Sequence, residues 1–388
     1  MCRISTPHGP ILTPSFVPVA TNAALKAVDL VSLDSLIDLQ LVFCNTYHLA
    51  LHPGAHHVAA AGGLHSFINR RRDRPLITDS GGFQVFSLAY GTVHEELHAS
   101  SSLKRRVPPG AGAVDGSGEG GGEATRRKKN NLVLKINEDG VTFRSYRDGT
   151  VMQLTPESSI HAQKQLGADI ILPLDELPPY NITDARLLES LHRSHRWEAR
   201  SLLAHASNPG SQACYGIIHG GSSPTLRRHS ADFIASLPFD GFAVGGALGK
   251  DRNELFDIMR GVMGCIPSAD RPVHVLGIAD PLSVSPLVQL GCDTFDSCHA
   301  TRVGRHGGML TEQGTLRVGA GGNKTAYDCR PAVPGCSCPT CSTYSLAYLH
   351  HLIKAKEPIA ATLLSIHNLA FMTRMMEKIR TEILEDRI

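Results

Sequence analysis

No apolar run in this chain approaches the roughly 18 residues that a membrane-crossing helix requires, so no such helix and no membrane partner are expected. The first residues, Met1-Cys2-Arg3-Ile4-Ser5, also lack the apolar core of a secretory signal. Net charge is scarce: 38 Lys and Arg against 36 Asp and Glu leave +2, so any basic surface for an anionic polymer must be local. With no export signal, the ten cysteines belong in a reducing compartment, and the chain is expected to be cytoplasmic. There they are thiols or metal ligands, not disulfides. A chain of 388 residues with 42% apolar content can bury a substantial core, as one large domain or two ordinary ones.

What the chain does have is a series of short apolar runs separated by segments of helical length. They are Phe16–Ala20, Leu41–Cys44, Pro75–Thr78, Asp169–Leu174, Cys214–Ile218, Gly241–Val244, Val273–Leu276 and the opening Thr294-Phe295. Most are too uniformly apolar for half-exposed antiparallel strands, and patterns such as Pro156–Leu166 or Asn253–Arg260 between them have helical character. Buried strands alternating with helices predict a (β/α)8 TIM barrel.

The residues after each run carry the chemistry. Asn45-Thr46-Tyr47-His48 follows the second, Asp79-Ser80-Gly81-Gly82-Phe83-Gln84 the third, Asp175-Glu176 the fourth and His219-Gly220-Gly221 the fifth. Gly245-Gly246-Ala247 follows the sixth, Gly277-Ile278-Ala279-Asp280 the seventh and Asp296 the eighth. In a (β/α)8 barrel these ends share the face that bears catalytic groups, so Asp79, Asp175 and Asp296 are expected to converge. After Asp296 comes Thr301-Arg302-Val303-Gly304-Arg305-His306-Gly307, read as a loop whose two arginines suit an anionic substrate and keep Asp296 ionised, a competent nucleophile. The plainer alternative is that the acids cap helices and the glycines make tight turns.

Two stretches stand apart from the repeat. Residues from about 97 to 131, with glycine-rich runs and the basic Arg126–Lys129, are too polar to offset their ordering entropy and read as a disordered surface insertion. Leu132–Asn137 and Gly140–Tyr146 after it read as a β-hairpin. Near the C-terminus, Cys336-Ser337-Cys338-Pro339-Thr340-Cys341 packs three cysteines into six residues, and His367 follows on a helical segment from Ala360 to Met372. A disulfide between Cys336 and Cys338 is sterically poor, whereas three thiolates and an imidazole complete a closed tetrahedral site for one structural Zn2+. Residues from about 329 to 388 are thus expected to form a zinc-binding subdomain on an otherwise single-domain barrel.

Asp79–Gln84, Asn45–Leu49 with Pro53-Gly54, Phe295-Asp296, Thr301-Arg302 with Gly304-Arg305, and Cys-x-Cys-x2-Cys with a distant His-Asn together resemble the tRNA-guanine transglycosylases. The resemblance runs from about residue 7 to the end, apart from the insertion, and is nearest to the bacterial type and its chlamydial branch in Leu174–Pro178 and Ile218–Gly221. It implies exchange of the wobble guanine of tRNAs with GUN anticodons for queuine or another 7-deazaguanine, through a covalent enzyme-tRNA intermediate. By that resemblance Asp296 is the nucleophile and Asp79 the general acid and base. Asp175 reads the N1 and N2 edge of the base, Phe83 and Leu276 sandwich it, and His219, Gly246 and Ala247 complete the pocket. Arg302 and Arg305 hold the anticodon. A homodimer or heterodimer through the zinc region is implied as well.

Departures from the family pattern sharpen these expectations. His219 stands where most members have glutamine, and Lys250 stands where bacterial members carry a glutamate that helps recognise the preQ1 aminomethyl cation. A lysine in that position would repel the cation and favour queuine. The opening at Thr6-Pro7-His8-Gly9 leads us to expect that an initial strand or two of the family fold is missing, and the end at Ile388 leaves no room for the RNA-binding domains of archaeal relatives. A non-catalytic tRNA-binding subunit of a heterodimer is the main alternative, and retention of both Asp79 and Asp296 argues against it.

Overall fold

The computed structural model describes residues 2–90, 132–266, 271–320 and 323–387. The stretch read as a disordered insertion lies outside them. A hairpin of β1 (Arg3–Thr6) and β2 (Gly9–Leu12) opens the chain. The barrel follows with β3 (Ser15–Ala20), β4 (Val42–Cys44) and β5 (Leu76–Thr78). An antiparallel three-stranded sheet, β6 (Val133–Ile136), β7 (Val141–Arg144) and β8 (Val151–Leu154), is inserted before β9 (Ile170–Ile171). Then come β10 (Ala213–Ile218), β11 (Gly241–Val244), β12 (Val273–Val275) and β13 (Thr294–Ser297). Strands β3, β4, β5 and β9 to β13 pair in parallel in that order, and β13 closes on β3, with Phe295 opposite Phe16. This is the (β/α)8 barrel expected from the eight runs.

Alternation along the strands divides the core in two. Val17, Phe43, Ile77, Ile170, Tyr215, Ile217 and Ala243 fill the barrel interior, while neighbours such as Phe16, Val42, Leu76 and Ile171 pack outward under the helices. The floor is closed by the β1–β2 hairpin, whose Ile11 is fully buried. His8, in its turn, binds Asp169 Oδ1 through Nδ1 at 2.8 Å and stacks on His65 with ring centroids 3.6 Å apart. Asp169 also accepts the backbone N–H of Leu76.

The fourth run forms a shorter strand than its apolar length predicts. Leu172 gives its N–H to Gln163 Oε1 (3.0 Å) and takes a bond from Gln163 Nε2 (2.7 Å), and Pro173 has no N–H to offer. The chain from Leu172 to Asp175 therefore leaves the ladder and delivers Asp175 to the rim. Gln163 comes from the helix Pro156–Leu166, which Thr155 and Ser158 cap reciprocally and Gly167 ends in the left-handed region.

The hairpin expectation was incomplete, because β8 adds a third strand. Its half-exposed, mixed residues carry little apolar alternation. The sheet is fastened to the helix Asp184–Ser207 by the Trp197 indole N–H to the Glu138 carbonyl (3.0 Å) and by Arg196 on the Glu138 carboxylate (2.7 Å). The stretch 301–307, read as a loop, is mostly helical: His299–Arg305 is a helix packed against Pro358–Leu384. Gly304 permits that crossing, since a Cβ there would lie 2.7 Å from the Ser365 backbone nitrogen. Its role is close packing, not substrate access. Beyond it, β14 (Gly308–Thr311) and β15 (Gly314–Arg317) form a small hairpin. No described helix is long and apolar enough to cross a membrane.

Candidate active site and metal centre

Asp79 lies just beyond β5, Asp175 beyond β9, His219 beyond β10, Gly246 and Ala247 beyond β11, Leu276 beyond β12 and Asp296 within β13. All are at the C-terminal end of the parallel barrel. Asp79 is buried and tightly held, accepting from Asn45 Nδ2 and from the Thr46 N–H, each at 2.7 Å. Burial raises its pKa, the bonds from Asn45, Thr46 and Gln84 oppose the rise, and the nearby Asp296 adds to it. A carboxyl raised in this way is better placed to hold a proton for a leaving group than a free carboxylate.

Asp296 is buried as well, and its hydrogen bonds among the described residues fall on one oxygen. The Gly277 N–H donates to Oδ1 at 2.8 Å and His274 Nε2 lies 3.2 Å from it. Oδ2 accepts no hydrogen bond among the described residues. His274 is itself oriented by Thr294 Oγ1 on Nδ1 at 2.8 Å. Its position within an apolar barrel strand was the available sequence signal, and sequence reasoning passed over it. The side chain paired with Asp296 among the described residues is thus this histidine and not Arg302 or Arg305. Those arginines stand one helical turn apart on His299–Arg305, Arg302 exposed and Arg305 half-buried.

Asp175 receives a long bond from Ser80 Oγ (3.4 Å) and lies 3.5 Å from His219 Nε2. Burial, with the charges of Asp79 and Glu176 adding, pushes its pKa up to about 7. Burial also pushes His219 down to about 3. The loops around His219 and Gly246 are tied together by Arg227, which sequence reasoning did not single out. Its buried guanidinium donates to the carbonyls of Ile218, Gly221, Gly245 and Ala247 at 2.7–2.9 Å. Gly220, at φ +133°, lets this happen, since a Cβ there would lie 2.6 Å from the Arg227 nitrogen. His219, Gly246 and Ala247 border a cavity of about 280 Å³ that continues towards Tyr180 and Ser190.

Phe83, at the start of the helix Gly82–Tyr90, is 53% exposed, an uncovered ring at the rim, and Leu276 is half-buried. Lys250 lies just ahead of Asp251, the N-cap of the helix Arg252–Met263. It is exposed, does not border this cavity, and gives its backbone N–H to Glu254 Oε2 at 2.8 Å.

Cys336, Cys338, Cys341 and His367 come together as expected, their ligand atoms within 4.8 Å of one another. His367 Nδ1 lies 3.6, 3.4 and 3.3 Å from the three sulfurs. A tetrahedron with zinc bond lengths of about 2.3 Å to sulfur and about 2.05 Å to nitrogen has S···N edges of about 3.5 Å, so the group fits such an ion. The other ring nitrogen, Nε2, is 2.9 Å from the Leu310 carbonyl, which fixes the tautomer. His8, His65 and Asp169 also converge. Their imidazoles are stacked within 19° of parallel, so their lone pairs do not converge, and His65 Nε2 is taken by the Arg74 carbonyl at 3.0 Å. That group is an anchor for the floor.

Comparison with known proteins agrees with the geometry. The family model described as queuine tRNA-ribosyltransferase matches residues 1–106 and 125–388. A queuine tRNA-ribosyltransferase of Protochlamydia amoebophila is 50% identical over 386 residues, covering all of this chain and 92% of that protein. Those of Chlamydia muridarum and Chlamydia abortus are 47% and 46% identical over 387 and 389 residues, each covering all of this chain and 95% of the relative.

Proposed function

The chain belongs to the queuine tRNA-ribosyltransferase family, and from that premise we propose that it exchanges the wobble guanine of GUN-anticodon tRNAs for queuine through a covalent enzyme-tRNA intermediate. Membership makes it a pentosyltransferase of tRNA queuosine modification. The observation that carries the finer reading is the pairing of two unlike carboxylates on one rim. Asp296 has Oδ1 pinned and Oδ2 open, and Asp79 is buried with a raised pKa.

Asp296 Oδ2 attacks C1′ of the ribose, forming a C1′–O bond as the C1′–N9 bond breaks and its electron pair leaves with guanine. The Gly277 N–H and His274 hold the attacking group in line. Asp79 protonates the departing base and then takes the N9 proton of the incoming one, whose N9 displaces Asp296. Two displacements at one carbon retain configuration. Asp175 accepts from N1–H and the exocyclic amine, Phe83 and Leu276 cover the two faces of the base, and Gly246 and Ala247 border its far side. Arg302 and Arg305 contact the anticodon backbone.

Cys336, Cys338, Cys341 and His367 hold Zn2+ with no open position, so the ion supports folding and not chemistry. Residues 1–388 act as one catalytic unit, with 97–131 an insertion. Queuine is favoured as the incoming base by the family to which the chain belongs and by the small Ala247. Labelled guanine should exchange into a GUN tRNA and queuine should compete for the site. Failure of both in folded, metal-loaded protein would refute the proposal.

A further inference from the structure

We propose that Glu198 is a positioning residue which fixes the tautomer of His219, so that His219 presents its Nδ1–H to a carbonyl oxygen of the bound base. This deepens the transglycosylase reading and rests on it for the identity of the ligand. The placement itself rests on geometry. Glu198 projects from the helix Asp184–Ser207 into the barrel wall and is fully buried. Its Oε2 accepts the Ile217 N–H at 2.8 Å, on the side where β9 pairs only with Ala213 and Cys214. Its Oε1 is sealed from solvent with no hydrogen-bond partner among the described residues, and His219 Nε2 is sealed and unpartnered too. The two lie 3.5 Å apart.

Charge decides which atom holds the proton. An ionised Glu198 in this spot would face Asp175 across the same imidazole nitrogen, since Asp175 Oδ2 is also 3.5 Å from Nε2. The buried cation close by among the described residues, Arg227, spends its hydrogens on backbone carbonyls. On the far side His195 binds Ser230 Oγ, the hydroxyl that accepts the backbone N–H of His219, and it adds no negative charge. Burial therefore keeps Glu198 protonated and His219 neutral. With Oε2 accepting from Ile217, the carboxyl proton sits on Oε1 and points at Nε2. A closure of about half an ångström makes that contact a hydrogen bond.

Two consequences follow for the pocket. The imidazole proton is driven to Nδ1, the atom turned towards Gly246, 3.6 Å from where a Cβ on that glycine would project. Asp175 receives no bond from His219 and keeps Oδ2 free for the N–H donors of the base. Without Glu198 the proton would move to Nε2 and occupy Asp175, so the base would lose a donor and an acceptor together.

The test compares the parent with Glu198→Gln and Glu198→Leu. The glutamine amide reproduces a protonated carboxyl, with its oxygen on Ile217 and its N–H on Nε2. Nitrogen-15 shifts of His219, assigned by difference from His219→Gln, should show the Nδ1–H tautomer from pH 5 to 8 in the parent and in Glu198→Gln, and Nε2–H in Glu198→Leu. In guanine exchange, KM for the base should rise at least about tenfold in Glu198→Leu, which loses two such bonds, with kcat within about threefold. Glu198→Gln should stay near the parent. A parent with Nε2–H or an imidazolium, a glutamine variant as impaired as the leucine one, or a leucine variant equal to the parent would overturn the proposal. The shifts are read without tRNA and need no leucine variant. A parent lacking all exchange would therefore refute the transglycosylase reading and leave the tautomer to be judged on its own.

Discussion

Asp175→Asn should make this protein more stable and less active, and the two effects should part company with pH. The Asp175 carboxyl rises from 3.8 to about 7 on folding, chiefly through burial. Between those values the folded state binds more protons than the unfolded one, so stability falls as pH rises from about 4 to about 7. A shift of about three units at about 1.4 kcal/mol each puts the upper limit of the cost near 4 kcal/mol above pH 7. An amide carries no charge to bury and keeps the shape, so the variant recovers part of that cost. With an unfolding entropy of roughly 0.8 kcal/mol/K for a chain this long, the midpoint should rise by up to about 5 °C at pH 8 and by almost nothing at pH 4. Thermal melts across pH read this directly. The same change replaces one acceptor oxygen facing the N–H edge of the base by an NH2 donor, so kcat/KM should fall by about 100-fold or more. A variant less stable than the parent at pH 8, or a stability difference independent of pH, would refute the reasoning.

Three further outcomes follow from particular residues. One zinc per chain should co-purify without chelators, and Cys341→Ser should lose it together with at least about 5 °C of the unfolding midpoint, read by metal analysis and melting. Lys250→Glu should change the preference between queuine and preQ1 by less than about threefold in a competition assay, because an exposed charge outside the cavity is well screened. Gly304→Ala should cost about 2–3 kcal/mol, seen in denaturant melts, because the added methyl meets the Ser365 backbone where the helices cross.

The barrel was legible because parallel strands buried on both faces are written as short uniform apolar runs, and their ends gave Asp79, Asp175 and Asp296 by position alone. The Cys336–Cys341 spacing was as direct. What sequence could not show has a common cause: it depends on which buried polar groups meet. His274, Glu198 and Arg227 sit in segments whose apolar period says only that they are inside, and their roles come from partners such as those 18 to 22 positions away in the chain, Thr294 and Asp296 for His274 among them. The helix His299–Arg305 was hidden because its arginines and glycine suggest a loop, while packing on the helix Pro358–Leu384 makes it helical. Lys250 is a different case: the motif alone placed its charge beside the base, whereas in the structure it is exposed and does not border the cavity at His219.

The central claim is that Asp296 becomes covalently bonded to the ribose. Incubating the protein with labelled GUN tRNA and resolving the products on a denaturing gel should give a retarded protein-RNA band, chased by excess guanine or queuine. Asp296→Asn should bind the same tRNA in a native gel and give no denaturation-resistant band. A parent that exchanges guanine without any such adduct, or an Asp296→Asn protein that exchanges at near the parental rate, would contradict the account.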